Sequence, residues 1–357
     1  MKKKSKTQNI IIHDYLQNFG GGERLIKILL SKRFHKLIVG YDNKIFNKFF
    51  LKKEKLKTLF NFKTPNIIKK IFLIYKFSNL SVISKNCICS GNYSLFASIN
   101  AENKIAYIHS VPKIFFRRKY FYSKFSIKAF FANIIFFNFK KNYISKLESF
   151  NFLVANSFYT KKQLRRFTKK KIHVIHPPIE RFKYNKKVKF SNYYVFNNRH
   201  EIEKNLIEVL HAFRYLKNQK LIVLSTGSLT NYLKNQFIDC KNIKFKGLVS
   251  NSKYVEYLAN CKAVINVSND EDFGMGAIEP MQFGKITLCL NQGGYKETTK
   301  NYFNAIHIDY KDISGHLIKT ITKIDLKLLK KLRKNSLITY KKYSQKSFEN
   351  KIDNLII

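Results

Sequence analysis

The chain runs through one rhythm twice. Short apolar segments alternate with helix-like segments up to residue 176, Pro177-Pro178 and a charged stretch to Asn192 interrupt, and the alternation restarts at Tyr193. In the first half the strand-like segments are residues 9–13, 36–40, 87–89, 105–109, 152–155 and 171–176, with helices at 23–32 and 157–168 and Ser157 placed to cap the second. In the second half they are residues 193–196, 221–224, 243–245, 263–267 and 285–290, with helices at 205–216 and 275–283 and one or two more in the tail from residue 326. Strands alternating with helices predict parallel, doubly wound sheets. The expected class is therefore α/β, with two such domains facing each other across a cleft and the Pro-Pro stretch as the linker.

The bulk composition narrows the partners. At 357 residues each of two domains can bury a core, and 45% apolar content is ordinary for a globular chain. Lys and Arg number 68 against 22 Asp and Glu, a net charge of +46 that would attract phosphates, nucleic acid or an anionic membrane face. Abundant Lys, Asn, Ile, Phe and Tyr with no Trp is also what AT-rich codons would write, so the charge has a second explanation. Cys87 and Cys89 share one face of a strand and cannot bridge, and no C-x-x-C spacing occurs. Reduced thiols in a cytosolic protein are expected. The basic start is followed by only three apolar residues, Ile10 to Ile12, too few for a signal peptide. The apolar run at 129–139 is shorter than the roughly 18 residues that would span a bilayer. The expected location is cytoplasmic, or peripheral on the inner membrane face.

Several motifs fall at strand ends, where ligands of open α/β sheets bind. After residues 263–267 comes Asn269-Asp-Glu271-Asp-Phe273-Gly274-Met275, then Glu279 in the next helix. Two carboxylates, acceptors when ionised, suit a ligand rich in hydroxyls such as a sugar or ribose. Asp270 and Asp272 have a spacing that could hold Mg²⁺, but an acidic loop without metal is preferred, because Arg199 and Lys204 at the end of residues 193–196 could already neutralise a diphosphate. Gly20, Gly21 and Gly22 follow the first strand and open a helix, so their backbone could approach an anion or form a mere turn. His109 ends another strand, either as an acid, base or donor toward the cleft or as a satisfied structural histidine.

Taken together, these motifs resemble the retaining glycosyltransferases of family 4, which have the GT-B fold of two Rossmann-like domains. Glu271-x7-Glu279 with Phe273-Gly274 and Gly284-Lys285 matches the signature of that family, Gly293-Gly294 resembles its next loop, and residues 155–160 and 176–179 resemble the exit from its first domain. The set His13-Asp14 with Gly20 to Glu23, Tyr107-Ile-His109-Ser and Glu271-Asp-Phe-Gly is most similar to mannosyltransferases of O-antigen and surface-polysaccharide assembly. The resemblance implies an acceptor-side domain over residues 1–182, a nucleotide-sugar domain over 183–338, and a helix at 339–357 returning toward the first. It implies that Arg199 and Lys204 hold the donor diphosphate, that Glu279 binds the ribose and Glu271 the donor sugar, and that His109 contacts the transferred sugar from the opposite domain. Gly21 and Gly22 would lie near the diphosphate or acceptor, and Phe273, Gly274 and Met275 would complete the substrate contacts. The reaction it implies moves a hexose, mannose from GDP-mannose, to a glycan or lipid-linked acceptor in surface-polysaccharide or lipopolysaccharide synthesis, with no metal or cofactor beyond the nucleotide sugar. Asn197 and Asn198, where the family has a small residue, and Ser225-Thr-Gly227 in place of Gly-x-Gly depart from it.

On the acceptor side, residues 115–124 and the aromatic stretch that follows to Phe139-Lys140-Lys141 mix Arg and Lys with Phe and Tyr, which suits an anionic membrane surface or, equally, a core-packing helix with its lysines outside. Two rival functions are a nucleotide-sugar epimerase on the same fold and a basic nucleic-acid-binding protein. The second has no recognisable nucleic-acid module and leaves Glu271 and Glu279 unexplained, so no nucleic-acid partner is expected.

Overall fold

A computed structural model describes residues 8–17, 20–43, 56–61, 66–112 and 127–356. The basic start and residues 115–124 lie outside them, whereas the aromatic stretch to Lys141 continues into the helix Ile127–Glu148, where Phe139 is buried in a core. The chain divides into two compact units, Met1–Pro177 with Phe348–Ile357, and Pro178–Ser347.

The first unit is built on seven parallel strands in the order β3-β2-β1-β4-β5-β6-β7. They are β1 (Ile10–His13), β2 (Lys36–Val39), β3 (Leu56–Thr58), β4 (Ser81–Ser90), β5 (Ser98–Ile108), β6 (Phe152–Ala155) and β7 (Ile172–Val174). Side chains alternate between two cores, as a sheet covered on both faces requires. Ile10, Ile12, Cys87, Cys89, Ala106, Ile108, Leu153 and Ala155 enter one core. Ile11, Ile88, Ile105, Tyr107 and Val154 enter the other, which Phe348, Ile352 and Leu355 of the last helix, Gln345–Ile356, help to close. Strands β4 and β5 are much longer than their apolar ends predict. The first half of β4 alternates buried with exposed positions and that of β5 half-buried with exposed ones, so neither carries a continuous apolar run.

Arg33 fixes that last helix to the first. Its guanidinium binds the Asp353 carboxylate through Nε and Nη2, and Nη1 lies 3.5 Å from Glu349. A forked Arg–carboxylate contact is the ion-pair geometry that contributes measurably at a partly exposed site. Arg33→Ala is expected to lower unfolding free energy by about 1 kcal/mol and to speed amide exchange in residues 345–356, which hydrogen-exchange mass spectrometry would read.

The second unit has six parallel strands in the order β10-β9-β8-β11-β12-β13. They are β8 (Tyr193–Phe196), β9 (Lys220–Leu224), β10 (Ile243–Gly247), β11 (Ala263–Asn266), β12 (Ile286–Leu290) and β13 (Ala305–Ile308). Tyr194, Phe196, Ala263 and Ile265 face one core, Val195 and Val264 the other. One expected helix, residues 275–283, is two pieces: α-helix over Met275–Ile278, then a 3-10 turn over Glu279–Phe283. Pro280 is the cause. It has no N–H to give the Gly276 carbonyl, and its ring crowds that oxygen. The Gly276 carbonyl accepts instead from the side-chain amides of Asn266 at 3.2 Å and Asn197 at 3.4 Å. Among the described residues, no helix is long and apolar enough to cross a membrane.

Candidate functional site

Each sheet has a point where strand order reverses. In the first, the chain leaves β1 toward β2 and β3, then returns to lay β4 on the other side of β1. In the second, β8 stands between β9 and β11 in the same way. Loops diverging from such a pair leave a crevice at the carboxyl ends of the strands, the ligand position of open α/β folds. The residues singled out in the sequence lie at or beside these two points.

In the first unit His13 ends β1, Ser90 ends β4, and His109 follows β5. His13 Nδ1 lies 2.8 Å from the Ser90 carbonyl oxygen and 3.1 Å from its hydroxyl. A carbonyl only accepts, so Nδ1 carries the ring proton of His13. The Ser90 hydroxyl then has His109 Nε2, 2.8 Å away, as acceptor for its own proton. The two imidazoles meet edge to face at 6.3 Å. Gly22, the second residue of helix Gly21–Lys32, sits over both; a Cβ there would lie 3.6 Å from His13 and 3.7 Å from His109. Gly21 opens the same helix, and Glu23 takes the Gly20 N–H at 3.0 Å. Burial pushes His13 down to about 4. Burial, with His13 as neighbour, pushes His109 down to about 3. Both rings are thus neutral at pH 7. Asn156 donates to the His109 carbonyl at 2.7 Å and holds the loop in place.

Asp14 has a different task. Its buried carboxylate accepts the backbone N–H groups of Asn92, Tyr93 and Ser94 at 2.7, 2.9 and 2.8 Å. It therefore builds the loop after β4 that carries Gly91. Burial nonetheless raises it to about 6.

In the second unit Lys204 Nζ lies 2.9 Å from Glu271 Oε2, with both side chains partly buried. They are brought together by backbone. Asn205, in the left-handed region at φ 52°, donates to the Val267 carbonyl at 2.7 Å, and Asn269 N–H reaches the Glu203 carbonyl at 2.8 Å. Arg199 is exposed just past β8. The loop after β12 locks the Glu271 turn: Gly294 N–H donates to the Glu271 carbonyl at 2.7 Å, and a Cβ on Gly294 would come within 2.4 Å of the Phe273 backbone. Only glycine permits that approach, which accounts for Gly293-Gly294. Gly274, at φ 88°, turns the chain into the helix that begins at Met275.

Phe273 is 2% exposed, and its ring packs on Tyr343 at 5.5 Å, in a small core with Ile179, Ile278 and Met281. What it can offer a ligand is backbone. Met275 is partly buried against that same core. Glu279 is buried, and its Oε2 accepts the Tyr254 hydroxyl. His200, next to Arg199, is fully buried between Thr230 at 2.9 Å and the Leu224 carbonyl at 3.1 Å, a structural position. The backbone of Gly227 packs on that of His200 closely enough that a Cβ would approach within 2.5 Å, so the last residue of Ser225-Thr-Gly227 is fixed by packing. Among the described residues, no three His, Cys, Asp or Glu side chains gather as metal ligands would.

Ser90 and Tyr254 were not anticipated. Ser90 could have been found as the last residue of a strand beside the reversal point. Tyr254 lies mid-helix, in Asn251–Asn260, and only three-dimensional contact reveals it.

Comparison with known proteins bears on the fold and on the second unit. Residues 178–338 match the family described as Glycosyl transferases group 1. No curated protein matches the sequence. Among solved structures, the chain is similar to Anabaena HepE in complex with UDP and glucose, at 13% identity over 97% of this chain and 98% of that one, with a TM-score of 0.72. It is equally similar to sucrose-phosphate synthase from Thermosynechococcus elongatus, at 13% identity over 98% of each chain and a TM-score of 0.72. The lipopolysaccharide outer core galactosyltransferase WaaB aligns at 16% identity over 98% of each chain, with a TM-score of 0.64. Residues 178–338 thus match the Glycosyl transferases group 1 model, and the chain as a whole has the GT-B fold of two Rossmann-like α/β domains.

Proposed function

We propose that the protein is a retaining glycosyltransferase that moves a hexose from a nucleoside-diphosphate sugar to a glycan or lipid-linked acceptor in surface-polysaccharide or lipopolysaccharide synthesis. The observation that carries this reading is the Lys204–Glu271 pair at the reversal point of the second sheet, with Arg199 on the loop after β8 and Glu279 in the segment after β11. Cations and carboxylates at one strand end suit a ligand that is anionic at one part and rich in hydroxyls at another. Arg199 and Lys204 would take the diphosphate, Glu279 the ribose and Glu271 the sugar, while Gly274 and Met275 supply the turn around it. In the first unit His109, with Gly21 and Gly22, is assigned to the transferred sugar and the acceptor. The bond from the anomeric carbon to the diphosphate breaks as the acceptor oxygen bonds to the same face, and the acceptor proton passes to the departing phosphate oxygen. The charge leaving with the diphosphate is what Arg199 and Lys204 stabilise. This chemistry calls for no metal.

Of the similar proteins, HepE was crystallised with UDP and glucose and WaaB is named for galactosyl transfer, whereas the motifs His13-Asp14 and Tyr107-Ile-His109 favour mannose from GDP-mannose. Incubation with GDP-mannose, UDP-glucose and UDP-galactose, each with and without a bacterial lipid extract, separates these. Consumption of GDP-mannose only when acceptor is present, with an α-linked product by NMR, is the expected result. Donor converted without acceptor would make the protein an epimerase, and no turnover of any donor would remove the reading. A net charge of +46 suits an acceptor held at an anionic membrane face, and flotation with anionic liposomes, lost in high salt, would bear on it.

A further inference from the structure

A line of hydrogen bonds runs from Glu279 to β8. The Tyr254 hydroxyl donates to Glu279 Oε2 and accepts from Asn197 Nδ2 at 3.1 Å. Its one proton is committed to the carboxylate, so Asn197 has to present its NH2 side to it. The same NH2 reaches the Gly276 carbonyl at 3.4 Å, an acceptor only. Both contacts fix the amide the same way round. Asn197 Oδ1 is thereby forced in the other direction, where it is buried and has no hydrogen-bond partner. A buried carbonyl oxygen left unpaired costs about 1–3 kcal/mol, and in native proteins such a group is completed by a water, an ion or a ligand. The amides beside it are committed elsewhere: Asn198 Nδ2 is bonded to Asn266 Oδ1 at 2.7 Å, and Asn266 Nδ2 to the same Gly276 carbonyl at 3.2 Å.

We propose that Asn197 is a ligand-binding residue whose side-chain carbonyl accepts a hydrogen bond from an O–H or N–H of the donor nucleoside, and that Tyr254 is the positioning residue that sets both this carbonyl and the Glu279 carboxylate. The inference rests on the donor-site reading of Glu279 above and deepens it. The two ends of the line, Glu279 and Asn197, offer acceptors on either side of one tyrosine hydroxyl, a pattern that fits a nucleoside presenting donors rather than a phosphate. Ring contact holds Tyr254 from behind, with Phe182 edge-on at 6.0 Å.

The test is calorimetric binding of GDP and UDP to the full-length protein, the Tyr254→Phe variant and the Asn197→Ala variant, with thermal unfolding of each in the absence of nucleotide. Both variants are expected to bind the preferred nucleotide about tenfold more weakly. Asn197→Ala removes the unpaired oxygen, and the Gly276 carbonyl keeps its Asn266 donor, so its melting temperature without nucleotide should not fall. In turnover assays the loss should appear in KM for the donor and much less in kcat, because the contact is present in ground and transition states alike. Affinity unchanged in both variants, or lost only in proportion to a lowered melting temperature, overturns the proposal. No binding of either nucleotide by the unaltered protein would instead overturn the donor-site reading itself.

Discussion

Replacing Glu271 with alanine is expected to slow sugar transfer at least about a hundredfold while the protein remains folded. The two halves of that expectation come from different interactions. The Glu271 side chain is 23% exposed and Lys204, its ion-pair partner, 16%, so each charge still reaches water if the other is removed. A pair of that kind contributes at most about 1 kcal/mol to folding. The turn that carries Glu271 is held by backbone, through the Gly294 N–H and the Asn269–Glu203 bond, neither of which the substitution touches. An oriented charge at the reacting sugar, by contrast, is worth about 3 kcal/mol in the transition state. Arg199→Ala should behave alike, since Arg199 is exposed and belongs to none of the cores. Thermal melts read the first half and initial rates with saturating acceptor the second. Near-normal turnover in either variant would remove that residue from the donor site.

Much of the fold was legible because buried parallel strands write continuous apolar runs. The segments ending at His13, Ala155, Phe196 and Leu290 are fully or nearly fully buried and were recognisable as strands. The expectation failed where burial alternates or the run is short. The outer halves of β4 and β5 read as polar, the three-residue β3 gave no periodicity, and β13 was hidden beside a turn. Pairing also lies beyond a one-dimensional pattern: nothing local says that β4 lies beside β1, yet that neighbour relation brings Ser90 between His13 and His109. The same limit applies to the second unit. Lys204 and Glu271 could each be picked out by position at a strand end, but their 2.9 Å contact depends on β11 lying against β8. Phe273 shows the converse, a residue whose place in a motif says nothing about its side chain, which points into a core.

The first unit should lose stability as the pH falls from 6.5 toward 4, and the histidine pair should account for several kcal/mol of the loss. His13 is held down to about 4 in the folded chain against 6.5 for a free imidazole, and His109 to about 3. A depressed histidine costs nothing at pH 7, where both states are neutral. Below 6.5 the unfolded chain takes up protons that the folded one refuses, and the balance moves toward unfolding until the folded pKa is reached. At 1.36 kcal/mol per pH unit, His13 alone contributes a loss of about 3 kcal/mol across that window. That is a large share of the 5–15 kcal/mol a domain typically has. Asp14 works against it. Its folded value is raised to about 6, so between 6 and 4 the folded chain binds its proton first and gains stability as the pH drops. The wild-type curve is therefore a difference of opposing slopes, and only a comparison isolates the histidines. In a His13→Gln, His109→Gln protein the Asp14 slope remains while the histidine slope is gone. Urea unfolding from pH 7 to 4 should show the wild type losing several kcal/mol more than this variant. Parallel curves would mean that both imidazoles protonate freely in the folded chain, and that burial does not hold them neutral.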